Sequence, residues 1–330
     1  MARIVRIHEY GDASVLKLED VDVPQPAADE VQIAVRAIGL NRAEVMFRNH
    51  AYLQEAVFPS RLGYEASGVV SAVGSSVTEF AHGDVVSLIP PNDIARWGTY
   101  GEVANVPARH LVKHPASISF EAAAASWMQY VTAWGALIDQ AKLSKDDVVI
   151  VTAASSSVGL AAFQIARIVG ATVIATSRTS AKRQALLDAG AHYVVATEEE
   201  DLVARVMEIT AGKGARVVFD PVGGPAFEPL TASMARGGIL FEYGALSSEP
   251  TPFPLFTVLG KSLTLKGYLY NEVVSDDATL ERAKAFISAG LASGQLNPVI
   301  AKTFPLEQIQ QATRFLESNQ QVGKVVVTVA

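Results

Sequence analysis

The stretch that decides the fold is Asp147-Val-Val-Ile-Val-Thr-Ala-Ala-Ser-Ser-Ser-Val-Gly159. Its first part, residues 147–152, contains a continuous apolar run, which is typical of a parallel strand buried on both faces. A helix is predicted directly afterwards, over residues 157–169. A strand, a turn of small residues and a helix in this order are typical of the start of a nucleotide-binding α/β fold.

Strands and helices continue to alternate after this segment. Further strands are predicted at 171–176, 192–196, 215–219, 237–243 and 263–266. Helices are predicted at 180–189 and 200–210. Strands that alternate with helices of this length indicate βαβ units, so we predict a doubly wound parallel sheet.

The chain before and after this alternation has a different pattern. Short Val- and Ile-rich strands are predicted at 31–39, 66–73 and 84–89, with a short helix at 41–49. After residue 270, the remaining elements are helices at 278–290 and 306–317 and a strand at 323–329. Because these are too few for a separate domain, we predict a mostly β domain formed by 1–124 and 268–330, with a nucleotide-binding domain at 125–267.

The turn between the first strand and its helix is the predicted site for a cofactor pyrophosphate. In dinucleotide folds, backbone N–H groups and the positive end of the helix face the phosphates at this place. Two of the three fingerprint glycines are replaced by Ala154 and Ser156, and Gly159 retains the third. The predicted contacts are Ala154, Ser155, Ser156, Ser157, Val158 and Gly159. The alternative is an ordinary turn of small residues.

The end of the second strand indicates which nucleotide binds. An NAD-binding protein usually has Asp or Glu there, which accepts a hydrogen bond from the ribose 2′-hydroxyl. This chain instead has Thr176-Ser-Arg-Thr-Ser-Ala-Lys182. Because Arg178 and Lys182 are cations in a segment without an acid, they favour a 2′-phosphate, and hence NADPH over NADH. The alternative is a solvated loop and helix start.

Composition and charge restrict the functional classes. The 330-residue chain contains no cysteine, which excludes disulfides, thiolate nucleophiles and Cys-ligated metal centres. A formal net charge of -7 makes nucleic acid a poor partner. The apolar stretch at 122–138 is interrupted by polar residues and is too short to span a membrane, and the charged N-terminus does not resemble a signal peptide. We expect a cytoplasmic protein.

Short motifs occur along the whole chain. They are Gly39-Leu-Asn-Arg-Ala-Glu44, Arg48 to Tyr52, Gly63-Tyr-Glu-Ala-Ser-Gly-Val-Val70, Val73-Gly74, Gly83-Asp-Val-Val86, Ala153 to Gly159, Phe219-Asp-Pro-Val-Gly-Gly224 and Gly323-Lys-Val-Val326. Their order and spacing resemble the medium-chain dehydrogenase/reductase superfamily, and within it the zinc-independent, zeta-crystallin-like quinone oxidoreductase branch. The resemblance implies a GroES-like, mostly β catalytic domain and a Rossmann domain.

The same resemblance concerns the metal. Zinc-dependent members of the superfamily bind their catalytic zinc through a Cys and the His of a Gly-His-Glu motif. Asn41 and Tyr64 stand at these two places, and neither is a suitable zinc ligand. The resemblance therefore implies catalysis without a metal, with Glu65 of the motif in a structural role.

The resemblance also implies positions for the cofactor. Asn41 and Tyr52 line the nicotinamide pocket, and Thr132 lies near the carboxamide. The 2′-phosphate site corresponds to Ser177, Arg178, Thr179 and Lys182. The adenosine pocket and the rest of the cleft correspond to Thr197, Gly224, Tyr243, Gly244, Ala245, Leu246, Tyr268 and Leu269.

Tyr52 and Asn41 are the candidate catalytic residues. Without a metal, hydrogen-bond donors have to stabilise the oxyanion that develops on the substrate. A phenol such as Tyr52, with a pKa near ~10, stays protonated and is able to donate a hydrogen bond or a proton. Alternatively, Tyr52 is a wall of the nicotinamide pocket. Asn41 either orients a ligand through its amide or only caps the predicted helix.

Three functions stay open at this point. The first is NADPH-dependent hydride transfer to a small quinone. The second is reduction of an α,β-unsaturated carbonyl such as an enal, an enone or an enoyl thioester, because both kinds of acceptor take hydride at a position conjugated to a carbonyl. The third is a catalytically silent NADPH-binding protein with a structural or regulatory role.

A homodimer is also expected. Members of the family commonly dimerise by joining the edge strands of two cofactor domains into one sheet. The predicted strand at 263–266, with Phe253 and Phe256 nearby, is apolar enough to form such an edge.

Overall fold

The computed structural model describes residues 1–115 and 117–330. In chain order, the strands of the described residues are β1 (Ala2–Arg6), β2 (Lys17–Val21), β3 (Glu30–Gly39), β4 (Glu65–Val73), β5 (Val85–Leu88), β6 (Val103–Pro107), β7 (Leu111–Lys113), β8 (Val148–Val151), β9 (Thr172–Ser177), β10 (Tyr193–Ala196), β11 (Ala215–Asp220), β12 (Met234–Glu242), β13 (Thr264–Gly267), β14 (Ile300–Pro305) and β15 (Lys324–Thr328).

The α-helices of the same residues are α1 (Arg42–Arg48), α2 (Phe120–Ala124), α3 (Trp127–Trp134), α4 (Ser157–Val169), α5 (Arg183–Asp188), α6 (Leu202–Ile209), α7 (Phe227–Ala232), α8 (Leu255–Lys261), α9 (Asn271–Val274), α10 (Asp277–Ala292) and α11 (Ile309–Glu317). Short 3-10 turns and one π-helical segment, Gly135–Gln140, connect some of them. None of the helices in the described part of the chain is long and apolar enough to cross a membrane.

The chain divides into two compact units. Unit 1 comprises Met1–Met128, Val274–Ala292 and Asn297–Ala330, and unit 2 comprises Gln129–Val273 and Ser293–Leu296. The predicted boundaries, after residues 124 and 267, lie close to these divisions. Residues 293–296 differ, because they group with unit 2 although the prediction places them in the β domain. The assignment of separate domains stays a prediction.

Unit 2 contains the predicted parallel sheet. Its strands are hydrogen-bonded in the order β10-β9-β8-β11-β12-β13, and each pairing is parallel. Central residues of the strands, including Ile150, Ile174 and Val218, are completely buried, which explains the continuous apolar runs in the sequence. The strand order reverses at β8, so the carboxyl ends of β8 and β11 form the switch point where such sheets bind ligands.

The three helices predicted in unit 2 are present, one of them with a correction, whereas α7 and α8 were not predicted. Helix α4 covers the predicted 157–169, because Ser156 caps its start and Gly170 ends it with a φ of 80°. The helix predicted at 180–189 is wrong as a single element. It consists of a 3-10 turn at Ser180–Lys182 followed by α5, since Lys182 leaves the helical conformation with a φ of -101° and a ψ of 5°.

Unit 1 is built on a largely antiparallel sheet with the strand order β14-β15-β3-β4-β5-β7, and β6 also pairs with β3. The prediction missed β14, which pairs with β15 in parallel. Two features hide β14 in the sequence: Lys302 and Thr303 point to solvent, and the strand ends in Pro305. The N-terminal pair β1–β2 was also missed.

Helix α2 packs closely on the centre of this sheet. Ala37 of β3, Ala124 and Val326 of β15 form a buried cluster of small side chains. A Cβ atom on Gly39 would lie 2.1 Å from the carbonyl oxygen of Ala124. Glycine is therefore required at the end of β3, two residues before Asn41.

Candidate active site

The turn after β8 has the geometry of a cofactor turn. The Ser156 hydroxyl accepts the Gly159 N–H at 3.1 Å, so it caps α4. A Cβ atom on Gly159 would lie 2.6 Å from the Ala154 carbonyl oxygen, which explains why this glycine is retained. Ala153 has a φ of 43°, in the left-handed region. Strained backbone of this kind is concentrated at binding sites.

The structure brings the predicted cations to this turn. Lys182 donates from Nζ to the Ser155 hydroxyl at 3.0 Å, which connects the end of β9 to the turn after β8. The pKa of Lys182 is lowered by burial and, second, by the positive charge of Arg178. Two cations that repel each other at the surface form a site for an anion, because an added phosphate removes the repulsion.

The neighbouring predicted contacts lie along the ends of β9 and β10. Thr197 donates from both its backbone N–H and its hydroxyl to the carbonyl oxygen of Ser177, at 2.9 and 3.3 Å. The Ser177 hydroxyl donates to the carbonyl oxygen of Thr179 at 2.7 Å. Ser177, Thr179 and Thr197 are therefore adjacent, although two of their hydroxyl groups already donate within the protein.

A second pair of turns lies at the ends of β11 and β12. The backbone N–H groups of Leu246 and Ser247 donate to the carbonyl oxygens of Pro221 and Val222, at 3.0 and 2.9 Å. A Cβ atom on Gly224 would lie 2.2 Å from the Ser247 hydroxyl oxygen. The structure thus places Gly224 beside the turn that contains the predicted residues Tyr243, Gly244, Ala245 and Leu246.

The ring of Tyr243 stacks on that of Phe219, with 4.0 Å between the ring centroids. Tyr268 is 2% exposed and lies against α3, where its hydroxyl is 3.5 Å from the Val131 carbonyl oxygen. Thr132, the next residue of α3, is 6% exposed. Leu269 is half-buried beside Tyr268. Thr132, Tyr268 and Leu269 therefore lie in one region of unit 2.

Sequence reasoning missed an acid pair at the same edge of the sheet. Asp220 ends β11 and accepts the N–H groups of Val222 and Gly223, at 3.1 and 3.0 Å, as well as the Thr152 hydroxyl. Glu242 ends β12, and burial together with the nearby Asp220 raises the pKa of its carboxyl to about 9. Glu242 is therefore protonated at neutral pH. Asp220 belongs to a quoted motif, whereas nothing in the sequence indicates Glu242.

In unit 1, strand register brings together residues that are far apart in the sequence. Gly39 of β3 pairs with Glu65 of β4 on one side and with Val326 of β15 on the other. Asn41 and Lys324 consequently meet next to Glu65. Lys324 and Glu65 form an ion pair in which both side chains are at most 1% exposed.

Asn41 is held at both ends of its amide. Its Oδ1 accepts from Lys324 Nζ at 2.6 Å. Its Nδ2 lies 3.2 to 3.4 Å from the carbonyl oxygen of Gly39 and from carboxylate oxygens of Glu44 and Glu65. These contacts favour a structural role for Asn41 at the start of α1. Its predicted role in catalysis stays a prediction.

Glu44 is a second buried acid that sequence reasoning did not select. It accepts the Asn41 and Tyr64 N–H groups at 2.6 and 3.0 Å, and the Tyr100 hydroxyl at 2.7 Å. Burial is the largest influence and raises the pKa of Glu44 to about 7. The only sequence signal was the three-residue spacing between Asn41 and Glu44, which is that of a capping box.

Tyr52 lies next to Tyr64 in the loop that follows α1. The Tyr64 hydroxyl donates to the Tyr52 hydroxyl at 2.9 Å, and the ring planes meet at 70°. Tyr64 is 2% exposed, whereas Tyr52 is half-buried. Burial raises the pKa of Tyr52, so its phenol stays protonated at neutral pH.

Comparison with known proteins identifies the family. Residues 27–116 match the family described as "Alcohol dehydrogenase GroES-like domain", and residues 157–288 match "Zinc-binding dehydrogenase". Quinone oxidoreductase 1 of Escherichia coli (strain K12) is 34% identical over 327 residues, which are 98% of each chain. The chain belongs to the medium-chain dehydrogenase/reductase family. The GroES-like domain and the Rossmann-like parallel sheet expected from the sequence are confirmed.

Solved structures agree with this assignment to the medium-chain dehydrogenase/reductase family. The Escherichia coli quinone oxidoreductase complexed with NADPH superposes with a TM-score of 0.91 at 33% identity, covering 99% of this chain and 100% of the other. The CurK enoyl reductase superposes with a TM-score of 0.88 at 25% identity, covering 100% of this chain and 99% of the other. The family therefore contains both a quinone reductase and an enoyl reductase of this fold.

Asn41 and Tyr64 are the two positions at which the sequence resemblance implies zinc ligands in zinc-dependent members of the family. Both side chains have protein partners here: Lys324 donates to Asn41, and Tyr64 donates to Tyr52. Within residues 1–115 and 117–330, no group of three or more His, Asp or Glu side chains is arranged to hold a metal ion.

Proposed function

We propose that the protein is an NADPH-dependent oxidoreductase that transfers hydride to a quinone without a metal. One observation supports the cofactor most directly: Lys182 reaches Ser155, so the cations at the end of β9 lie beside the turn at the start of α4. A 2′-phosphate and a pyrophosphate of one dinucleotide require that arrangement. The NADPH-complexed structure of the related Escherichia coli enzyme supports the same choice.

The residues present fit NADPH, which supplies the hydride when bound. The N–H groups at the start of α4 would hold its pyrophosphate, and Arg178 and Lys182 would hold its 2′-phosphate. Gly223 and Gly224 have left-handed φ values of 64° and 65°. Positive φ values favour glycine, and a side chain on Gly224 would collide with Ser247, so both glycines shape the turn that follows β11 at the switch point of the sheet.

Stabilisation of the developing negative charge is assigned to Tyr52, which would also supply the proton where the acceptor is an unsaturated carbonyl. A half-buried phenol with a raised pKa keeps its hydrogen at neutral pH and is able to donate to an oxyanion. Asn41 is a weaker candidate, because its amide already contacts Lys324, Glu44 and Glu65.

Metal-free catalysis is supported by the positive charge of Lys324, which lies among the hydrogen-bonded side chains around Asn41. The Lys324 ammonium lies 2.6 Å from Asn41 Oδ1 and is paired with Glu65. A divalent cation at Asn41 and Tyr64 would be close to this ammonium and would be repelled by it. Neither side chain is a zinc ligand of the usual kind.

Reduction of an enal, an enone or an enoyl thioester is the second candidate. The pairing of Tyr52 with Tyr64 favours it, because an enolate needs a proton, whereas the hydroquinone monoanion that hydride transfer leaves is readily protonated by water. For the third possibility, a catalytically silent NADPH-binding protein, no contact among the described residues gives specific support.

A substrate panel tests the proposal. NADPH oxidation is followed by absorbance with 1,4-benzoquinone, trans-2-hexenal, an enone and crotonyl-CoA as acceptors. We expect turnover with the quinone. Oxidation of NADPH with none of these acceptors would contradict the proposal and leave the silent binding protein. Turnover with only the unsaturated carbonyls would support the second candidate.

We also propose a cytoplasmic homodimer that joins through β13. This strand lies at one edge of the parallel sheet, and Phe253 and Phe256 nearby are 65% and 86% exposed. An unpaired edge strand beside exposed apolar side chains is suited to pairing with a second copy. Light scattering at micromolar concentration would contradict the dimer if it gave the mass of one chain.

A further inference from the structure

We propose that Tyr64 is a positioning residue that directs the proton of Tyr52 toward the substrate. The inference rests on the second candidate of the proposed function, reduction of an unsaturated carbonyl with NADPH, and concerns its proton-transfer step. The Tyr64 hydroxyl donates to the Tyr52 hydroxyl oxygen at 2.9 Å. Either hydroxyl of such a pair is able to donate, and when Tyr64 donates, the hydrogen of Tyr52 is directed to an acceptor outside the pair.

Tyr64 is fixed more firmly than Tyr52. Its ring is 2% exposed, and its backbone N–H donates to the buried Glu44 carboxylate at 3.0 Å. Tyr52 lies in the loop after α1 and is half-buried. The anchored tyrosine therefore determines the direction of the hydrogen bond, and the less buried one is left as the donor to a ligand.

The chemistry of an unsaturated carbonyl gives this arrangement a role. After the hydride has formed a bond to the β-carbon, the substrate is an enolate. The O–H bond of Tyr52 breaks, its proton goes to the enolate, and the electron pair stays on the phenolate oxygen of Tyr52. The Tyr64 hydroxyl stabilises that phenolate, since a hydrogen bond to the charged form favours it, and water then returns the proton.

The hydrogen bond from Tyr64 also makes Tyr52 a stronger acid, as a proton donor requires. Burial raises the pKa of Tyr52, whereas the bond from Tyr64 lowers it. Without the Tyr64 hydroxyl, Tyr52 would be a weaker acid. The rate of quinone reduction should not change when the Tyr64 hydroxyl is lost, because the reduced quinone takes protons from water.

Tyr64→Phe, Tyr52→Phe and the double variant test the inference, with Tyr100→Phe as the matched control. Tyr100 is also 2% exposed, but its hydroxyl donates to Glu44, at 2.7 Å, rather than to Tyr52. Kcat and KM are measured with NADPH for trans-2-hexenal and for 1,4-benzoquinone, and the melting temperature is recorded for each variant.

We expect Tyr64→Phe to lower kcat on the enal by about two- to tenfold, the effect of one hydrogen bond. Its kcat on the quinone should stay unchanged, and the substitution should have no further effect in the Tyr52→Phe background. Tyr100→Phe should leave the ratio of the two kcat values unchanged, even where it lowers the melting temperature.

Four results would overturn the inference. They are an unchanged kcat of Tyr64→Phe on the enal, an equal loss on both acceptors, additive losses in the double variant, and no activity on any enal or enone. Each of these leaves quinone reduction intact. An absence of NADPH oxidation with every acceptor would instead contradict the proposed function, and the inference with it.

Discussion

Lys324→Met is expected to destabilise the protein strongly, because it breaks a buried ion pair from one side. Glu65 is completely buried, and the Lys324 side chain that neutralises it is also inaccessible. Removing one partner of such a pair costs about 3–5 kcal/mol, since the other charge stays buried. Glu65 would keep two hydrogen-bond donors, the Met128 N–H at 3.0 Å and Asn41 Nδ2 at 3.3 Å. We therefore expect the lower part of that range, about 3 kcal/mol.

Urea unfolding at pH 7.5 measures this loss. Lys302→Met is the matched control, because Lys302 lies on β14 of the same sheet but is exposed. Its ammonium lies over the rings of Phe304 and Phe315, so its loss should stay within about 1 kcal/mol. Combining Lys324→Met with Glu65→Gln removes both charges and should recover at least half of the stability. A loss below about 1 kcal/mol, or no recovery in the double variant, would refute this reasoning.

Two further predictions concern the acid pair and the metal. The pKa of Glu242 is raised to about 9, so its contribution to stability is fully present below its unfolded pKa, near 4.5, and is lost as the pH rises toward 9. Glu242→Gln should therefore melt at a higher temperature than the parent protein at pH 8.5, with a smaller difference at pH 5.5; the reverse order would contradict the assignment. Elemental analysis of the purified protein should find no stoichiometric zinc, and EDTA should leave the quinone reductase activity unchanged; one zinc per chain would show that the places of Asn41 and Tyr64 were misinterpreted.

The elements predicted correctly are those that carry a local signal. Strand β8 and helix α4 follow from a continuous apolar run, a serine cap and a terminal glycine, which all lie within a few residues of each other. Strand β14 was missed because it lies at the edge of its sheet. An edge strand is able to contain proline and does not have to alternate apolar and polar residues. The break at Lys182 was missed because the sequence at 180–189 contains no glycine or proline that would indicate it.

The candidate site shows the same division. The Ala154–Gly159 turn and the cations at Arg178 and Lys182 were predicted because their roles depend on neighbours along the chain. Lys324 was part of a quoted motif, but its contact with Asn41 depends on the pairing of β15 with β3. Burial raises the pKa of Glu242 most, and Asp220, which the parallel pairing of β11 and β12 places beside it, raises this pKa further. Such long-range contacts leave no pattern in a single sequence.

The cofactor preference tests the central claim most directly. Kcat/KM is measured with 1,4-benzoquinone as acceptor for NADPH and for NADH, in the parent protein and in a variant that combines Arg178→Ala with Lys182→Ala. We predict that the parent prefers NADPH by at least about tenfold, or about 1.4 kcal/mol, and that the variant loses most of this preference through a higher KM. Equal use of both cofactors by the parent, or an unchanged preference in the variant, would contradict the proposed NADPH site.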